Sequence, residues 1–195
     1  DAEIPADTDL ISIMLANNEL GTLEPVSDLA KRCKNYNTQV GAEDAQSQQL
    51  KRTYFHSDAT QALGKVEIDV ESLGVDYLTI SAHKIGGPVG VGALYVRKGA
   101  PIRSLILGGH QERQHRAGTS NVLAITGFGV AADWCQRSGS VQRFSKIAKL
   151  RDYLAKRILD EVPYSSLNSP LRNSLPNIVN VSFAAAEGES IQLYL

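Results

Sequence analysis

The stretch Ser81 to Arg97, SAHKIGGPVGVGALYVR, constrains the fold more than any other part of the chain. The apolar run Val75 to Ile80 before it reads as a buried strand, and Gly92 to Val96 reads as a second one. Between them come Ser81, His83 and Lys84, then a Gly-Gly-Pro turn. A lysine where a strand meets a glycine turn sits at a sheet edge, beside a pocket. An amine partly withdrawn from water there becomes a usable nucleophile. Lys84 also reads as an ordinary solvated loop lysine, and the local string leaves both readings open.

Upstream, Leu10 to Ala16 is a short apolar run of the kind that forms a strand covered on both faces. It ends at Asn17-Asn18-Glu19-Leu20-Gly21, a turn composition at a strand's carboxyl end, where open α/β sheets bind ligands. Pro25 opens a helix with Val26, Leu29, Ala30 and Cys33 at helical spacing, which makes Cys33 a small core residue. Asn35 to Arg52 is polar, glutamine-rich and unpatterned, and is expected to be a long surface excursion. Thr53 to Ser57 returns to a strand. Asp58-Ala59-Thr60-Gln61 follows, and its Asp58 and Gln61 can enter one pocket, although strands also end in aspartate simply as a turn residue. Val66 to Leu73 carries alternating apolar positions. Strand, helix, strand, connection, strand predicts an α/β sheet with a substantial parallel part.

Ile102 to Leu107 is a further strand candidate. It feeds Gly108 to Asn121, which is rich in glycine, cations and donors. That segment reads either as a cradle for an anion such as phosphate or as a solvated basic loop, and it has no Walker-type spacing. Val122 to Gln136 reads as an apolar helix that packs Cys135. Gln142 to Glu161 reads as an amphipathic helix with Phe144, Ile147, Leu150, Leu154, Ile158 and Leu159 on one face. Its charges, Arg151 among them, are expected on the solvated side. Ser138-Gly139-Ser140 is the expected domain junction, dividing 1–138 from 139–195. Asn168 to Pro176 is a loop, Ile178 to Phe183 a strand, and Glu187 onward the start of another helix.

With 20 basic and 21 acidic residues the charge is nearly balanced, so nothing electrostatic argues for nucleic acid or a membrane surface as partner. No apolar run is long enough to span a bilayer as a helix. Cys33 and Cys135 have neither metal-site nor disulfide-scaffold spacing, which makes an intracellular, reducing compartment the default expectation, with mitochondrial and cytoplasmic left open. The start at Asp1 and the stop at Leu195 in mid-pattern are expected to be the ends of a central fragment.

Four blocks in order carry a resemblance: Asn17 to Gly21, Asp58 to Gln61, Ser81 to Lys84 with Gly87-Pro88, and Gly108 to Arg113 continuing to Arg116-Ala117-Gly118-Thr119. Together they resemble the cysteine desulfurases, members of the class V aminotransferase group of pyridoxal-phosphate (PLP) enzymes and close to the selenocysteine lyases. The resemblance implies an α/β fold of the aspartate-aminotransferase type, with an incomplete large PLP domain and the start of the small C-terminal domain. It implies a homodimer, L-cysteine (or selenocysteine) as substrate, and a sulfur-acceptor protein.

The same resemblance gives each matched position a role. Lys84 looks like the lysine that holds PLP as a Schiff base and later moves a substrate proton. Asp58 looks like the carboxylate that pairs with the pyridine nitrogen, so that the ring draws electrons. Gln61 resembles the donor to the ring's phenolic oxygen, and Asn18 the residue beside that oxygen and the substrate carboxylate. Ser81 and His83 are similar to phosphate ligands, and Thr119 to a phosphate ligand supplied to the neighbouring subunit. The family's catalytic cysteine and carboxylate-binding arginine are expected beyond Leu195, and its ring-stacking residue before Asp1. Neither Cys33 nor Cys135 matches the catalytic cysteine, so a truncated, inactive PLP-fold remnant is the competing expectation.

Overall fold

The computed structural model describes residues 4–43 and 52–194. Strand β1 (Leu10–Met14) leads to helix α1 (Val26–Glu43), then β2 (Tyr54–Asp58), the short helix α2 (Val70–Leu73) and β3 (Tyr77–Ser81). A 3-10 turn (Ala82–Ile85) precedes β4 (Gly92–Val96). Helices α3 (Val122–Arg137) and α4 (Ser140–Glu161) follow, then β5 (Ser165–Leu167), β6 (Val181–Phe183) and α5 (Gly188–Tyr194).

The first four strands form one sheet in the order β1-β2-β3-β4. β1, β2 and β3 run parallel, and β4 turns back antiparallel to β3. This is the mixed α/β sheet that the alternation of elements predicts. Met14, Asp58 and Thr79 lie side by side in the ladder, so the carboxyl ends of three strands share one edge. β5 and β6 pair antiparallel in a separate two-stranded sheet.

One side of the sheet is closed by α1. Val26, Ala30 and Cys33 are 1–2 % exposed and pack with Leu15, Phe55, Val75 and Leu78. Val26, Ala30 and Cys33 follow the helical spacing of one stripe. The helix does not stop at Cys33, as the unpatterned composition of Asn35 to Arg52 predicts, but runs to Glu43. The reason is Asn37, one turn past Cys33. Its side chain donates to the Thr53 carbonyl at 2.8 Å and accepts from the Thr53 amide at 2.9 Å. The stripe therefore continues with an amide where an apolar residue would have signalled it. Residues 44–51, the rest of the expected excursion, lie outside the described residues.

Two further expectations change, and one connection takes a definite form. Within Val66 to Leu73 the chain makes the short helix α2, started by Asp69, whose carboxylate accepts from the Glu71 amide at 3.0 Å. Ile102 to Leu107 forms no strand. Leu105 and Leu107 are 95 % and 83 % exposed, so its apolar side chains find no covering layer. Arg151 is not on a solvated face but buried under α4. Its guanidinium donates to the carbonyls of Leu175 (2.6 Å) and Leu171 (3.2 Å), to Ser174 Oγ (2.9 Å) and to Asp152 (2.7 Å). Leu175 is fully buried in the main core, and the Leu175 amide donates to the Gly21 carbonyl at 2.7 Å. Arg151 thus ties α4 to the loop that seals the β1–α1 connection.

Candidate functional site

Asp58 ends β2, and its strand alternates sharply. Phe55 and Ser57 point into the core, while Tyr54, His56 and Asp58 share the other face. One oxygen of Asp58 accepts from the Thr60 amide at 2.9 Å. Burial alone pushes this carboxyl up. Hydrogen bonds from Thr60 and Thr79 and the nearby charge of His56 outweigh burial and hold it below its ordinary value. His56 bridges two strands, with Nδ1 sharing a hydrogen bond with Ser12 Oγ at 2.7 Å and Nε2 with Thr79 Oγ1 at 3.3 Å. Burial pushes the His56 imidazole down, and the Asp58 charge opposes that only in part. The result is a carboxylate kept ionised at the sheet edge, first by the Thr60 turn that follows it and then by Thr79 of the neighbouring strand.

Lys84 lies just past the end of β3, in the 3-10 turn Ala82–Ile85. Ala82 is fully buried and anchors the turn, and the Gly86 and Gly87 amides both donate to its carbonyl. Gly86 closes the turn with φ +82°, a left-handed conformation that glycine takes without strain. A Cβ at Gly87 would come within 3.0 Å of the Ala82 carbonyl oxygen. Ser81 and His83 flank the turn, and Ser81 Oγ and His83 Nδ1 share a hydrogen bond of 2.7 Å.

Gln61 stands one turn after Asp58. Its backbone carbonyl and its Oε1 both accept from Lys65 Nζ, at 2.7 and 3.3 Å. Lys65 is buried, and burial, followed by repulsion from Lys84, pushes its ammonium down. Lys65 and Lys84 line one cavity of about 310 Å³, walled by Leu63, Ile85, Trp134 and Phe144. Arg143 lies over the Trp134 ring there, at 4.7 Å from its centre.

Asn18 is exposed in the turn after β1, which Asn17 shapes by accepting from the amides of Glu19 and Leu20, each at 2.8 Å. Thr119 is exposed on the loop before α3. In the same loop Glu112, Arg113 and Gln114 take left-handed backbone, and the Gly118 amide donates to Gln111 Oε1 at 3.1 Å. The fold therefore gathers Asp58, Gln61, Ser81, His83, Lys84 and the Asn18 turn at the carboxyl end of the parallel strands, and it leaves Thr119 facing solvent.

An ionised carboxylate, a lysine on the adjacent strand end and a hydroxyl–imidazole pair beside that lysine suit one type of ligand. It has a cationic ring nitrogen, an aldehyde carbon and an anionic group, and PLP has all three. Three residues of this constellation escape a reading by motif: His56, Thr79 and Lys65. His56 had a usable signal, since it shares a strand face with Asp58 at a spacing of two. Lys65 had another, a spacing of four from Gln61. Thr79 depends on inter-strand register, which no local pattern carries.

The Aminotransferase class-V family profile matches residues 1–195. A cysteine desulfurase IscS of Dictyoglomus turgidum is 46 % identical over 189 residues, covering 97 % of this chain and 44 % of the relative. A solved NifS-like protein superposes with a TM-score of 0.86 at 39 % identity, covering 98 % of this chain and 48 % of that one. A structure described as SspA in complex with cysteine superposes with a TM-score of 0.68 at 32 % identity, over 98 % of this chain and 48 % of that one. The chain thus spans less than half the length of the curated relative and about half of each solved one.

Proposed function

The chain belongs to the aminotransferase class-V family, and on that premise we propose that it is part of a PLP-dependent cysteine desulfurase. Class-V aminotransferases and cysteine desulfurases are PLP-dependent enzymes. The reaction is conversion of L-cysteine to L-alanine, with sulfur passed through an enzyme persulfide to a sulfur-acceptor protein for iron–sulfur cluster assembly or another sulfur transfer. The observation that carries the reading is the placement of Asp58 and Lys84. They lie at the carboxyl ends of adjacent parallel strands, with Asp58 held ionised by Thr60 and Thr79.

In this reading Lys84 would hold the cofactor through its amine, and the same amine would carry a proton at the substrate's α-carbon. Asp58 pairs with the ring nitrogen, Gln61 and Asn18 attend the phenolic oxygen, and Ser81 and His83 bind the phosphate. Thr119 serves the phosphate of a partner subunit in a homodimer, a role that its exposure supports. When bound, PLP supplies an electron sink for the carbanion at the α-carbon. Residues 1–138 belong to the large domain, and 139–195 begin the small one. Neither cysteine is the sulfur carrier. Cys33 is buried, and burial pushes its thiol up, away from the reactive thiolate that sulfur transfer requires. A reducing intracellular compartment keeps both thiols free.

The test uses the full-length protein loaded with PLP. Lys84→Ala is expected to abolish the coloured, borohydride-reducible adduct and alanine release from cysteine. A reducible adduct that survives Lys84→Ala removes Lys84 from its role, and with it the reading.

A further inference from the structure

Lys65 is a buried lysine that the proposed chemistry does not use. It is 8 % exposed, and among the described residues its only charged influence is Lys84, which repels it. A buried cation without an acid is a liability to stability. Here its needs are met by two oxygens of one residue, the backbone carbonyl and the side-chain Oε1 of Gln61.

That pairing decides how the amide faces. An ammonium has donors and no acceptor, whereas a glutamine side chain has an acceptor end and a donor end. Lys65 can bind only the oxygen end. The Nε2 hydrogens are then the end of Gln61 left for a ligand. A free glutamine side chain would present either end.

We propose that Lys65 is a positioning residue: its buried ammonium holds the Gln61 amide by Oε1, so that Gln61 offers only N–H donors to a ligand oxygen at the Lys84 site. The ligand's identity as PLP, with its phenolic oxygen, rests on the reading above. The orientation of the amide does not. The site thereby selects a ligand oxygen that accepts hydrogen bonds, and rejects a hydroxyl that must donate.

Two measurements on the full-length protein test this. The Gln61 side-chain amide protons, assigned by their loss in Gln61→Leu, are followed by NMR without added cofactor. The dissociation constant for PLP is then titrated by absorption. Lys65→Met removes the charge at similar length, so it is expected to keep the fold, judged by thermal unfolding. It should move the Gln61 amide signals and weaken PLP about tenfold, the loss of one charge-assisted, oriented hydrogen bond. Lys65→Arg should retain most of both properties. In a Gln61→Leu background, Lys65→Met should change the affinity less than twofold. Unmoved Gln61 signals in Lys65→Met overturn the proposal. So does an equal loss of affinity in the Gln61→Leu background, because Lys65 would then act by its charge alone. If the unmodified protein takes up no PLP, the desulfurase reading fails, and the amide signals by themselves still decide the role of Lys65.

Discussion

His56 and Asp58 stand two residues apart on one face of β2, and the environment favours the uncharged imidazole beside the charged carboxylate. The pKa of His56 in the fold lies below its ordinary value of 6.5, chiefly through burial. The unfolded chain therefore takes up a proton first as the solution is acidified. The stability that comes from keeping His56 neutral is fully present above pH 6.5 and is lost as the pH falls from there toward the folded-state value. Asp58, also lowered, acts in the same direction but only as the pH falls below its ordinary value of 3.8. Two acid phases are expected in urea midpoints measured from pH 8 to pH 3, and His56→Gln should flatten the first and only diminish the second, which the hydrogen bonds from Thr60 and Thr79 still carry. A first phase that persists in His56→Gln places its origin elsewhere. The lysine, aspartate and glutamine of the site were legible in the sequence because each closes a strand or follows one by a single turn. Of the groups that tune them, Thr79 was not, because it reaches Asp58 across the ladder, and His56 left only the signal of its spacing of two from Asp58 on one strand face.

Among the elements, α4 shows why pattern alone misplaces charge. Its apolar residues were expected to carry the packing, yet Leu150 is 68 % and Leu154 48 % exposed, while Arg151 is buried. The helix is attached through a guanidinium that fits the Leu171, Ser174 and Leu175 segment. Arg151→Met leaves the buried Leu175 carbonyl without this donor, and it is expected to destabilise the protein by about 3 kcal/mol. Arg151→Lys should recover little, since a single ammonium cannot reproduce the fork. The control is Arg157→Met in the same helix. Arg157 pairs with Glu161 on the exposed surface, where solvent screens the pair, and its removal should cost far less than that of Arg151. Denaturant midpoints of the three variants settle the comparison, and equal losses for Arg151 and Arg157 contradict it. The strands with continuous apolar runs, and α3, were legible by composition, although β1 is not covered on both faces among the described residues (Leu10 and Met14 are exposed) and on α3 only Ala124 and Phe128 are buried. The end of α1 was not, because Asn37 fills an inward position with an amide paired to Thr53. Residues 102–107 misled in the opposite way, with strand-like composition and no strand to pair with.

At the scale of the molecule, the sheet has an unpaired strand at each edge among the described residues. β1 and β4 are these outer strands, and each leaves a row of backbone groups open for pairing there, with Leu10, Met14 and Leu94 exposed along them. Apolar side chains also stand in water away from the edges. Leu105 and Leu107 before α3, and Val122, Leu123 and Val130 on it, are 65–95 % exposed, and Leu193 and Tyr194 on α5 are 87 % and 92 % exposed. Isolated exposed leucines need no explanation, but clusters of them together with two open strand edges do. Within these residues the core under α1 is complete, whereas the surface around α3 and along both edges is that of a buried interior. These 195 residues expressed by themselves are therefore expected to self-associate at micromolar concentration and to enhance the fluorescence of an apolar dye such as ANS. Leu105→Glu with Leu123→Glu should reduce both signals without lowering the thermal midpoint, because neither residue contributes to the core. Sedimentation as a single monomer without dye enhancement would show instead that these surfaces are satisfied within the chain. The interior character assigned to α3 and the sheet edges would then be wrong.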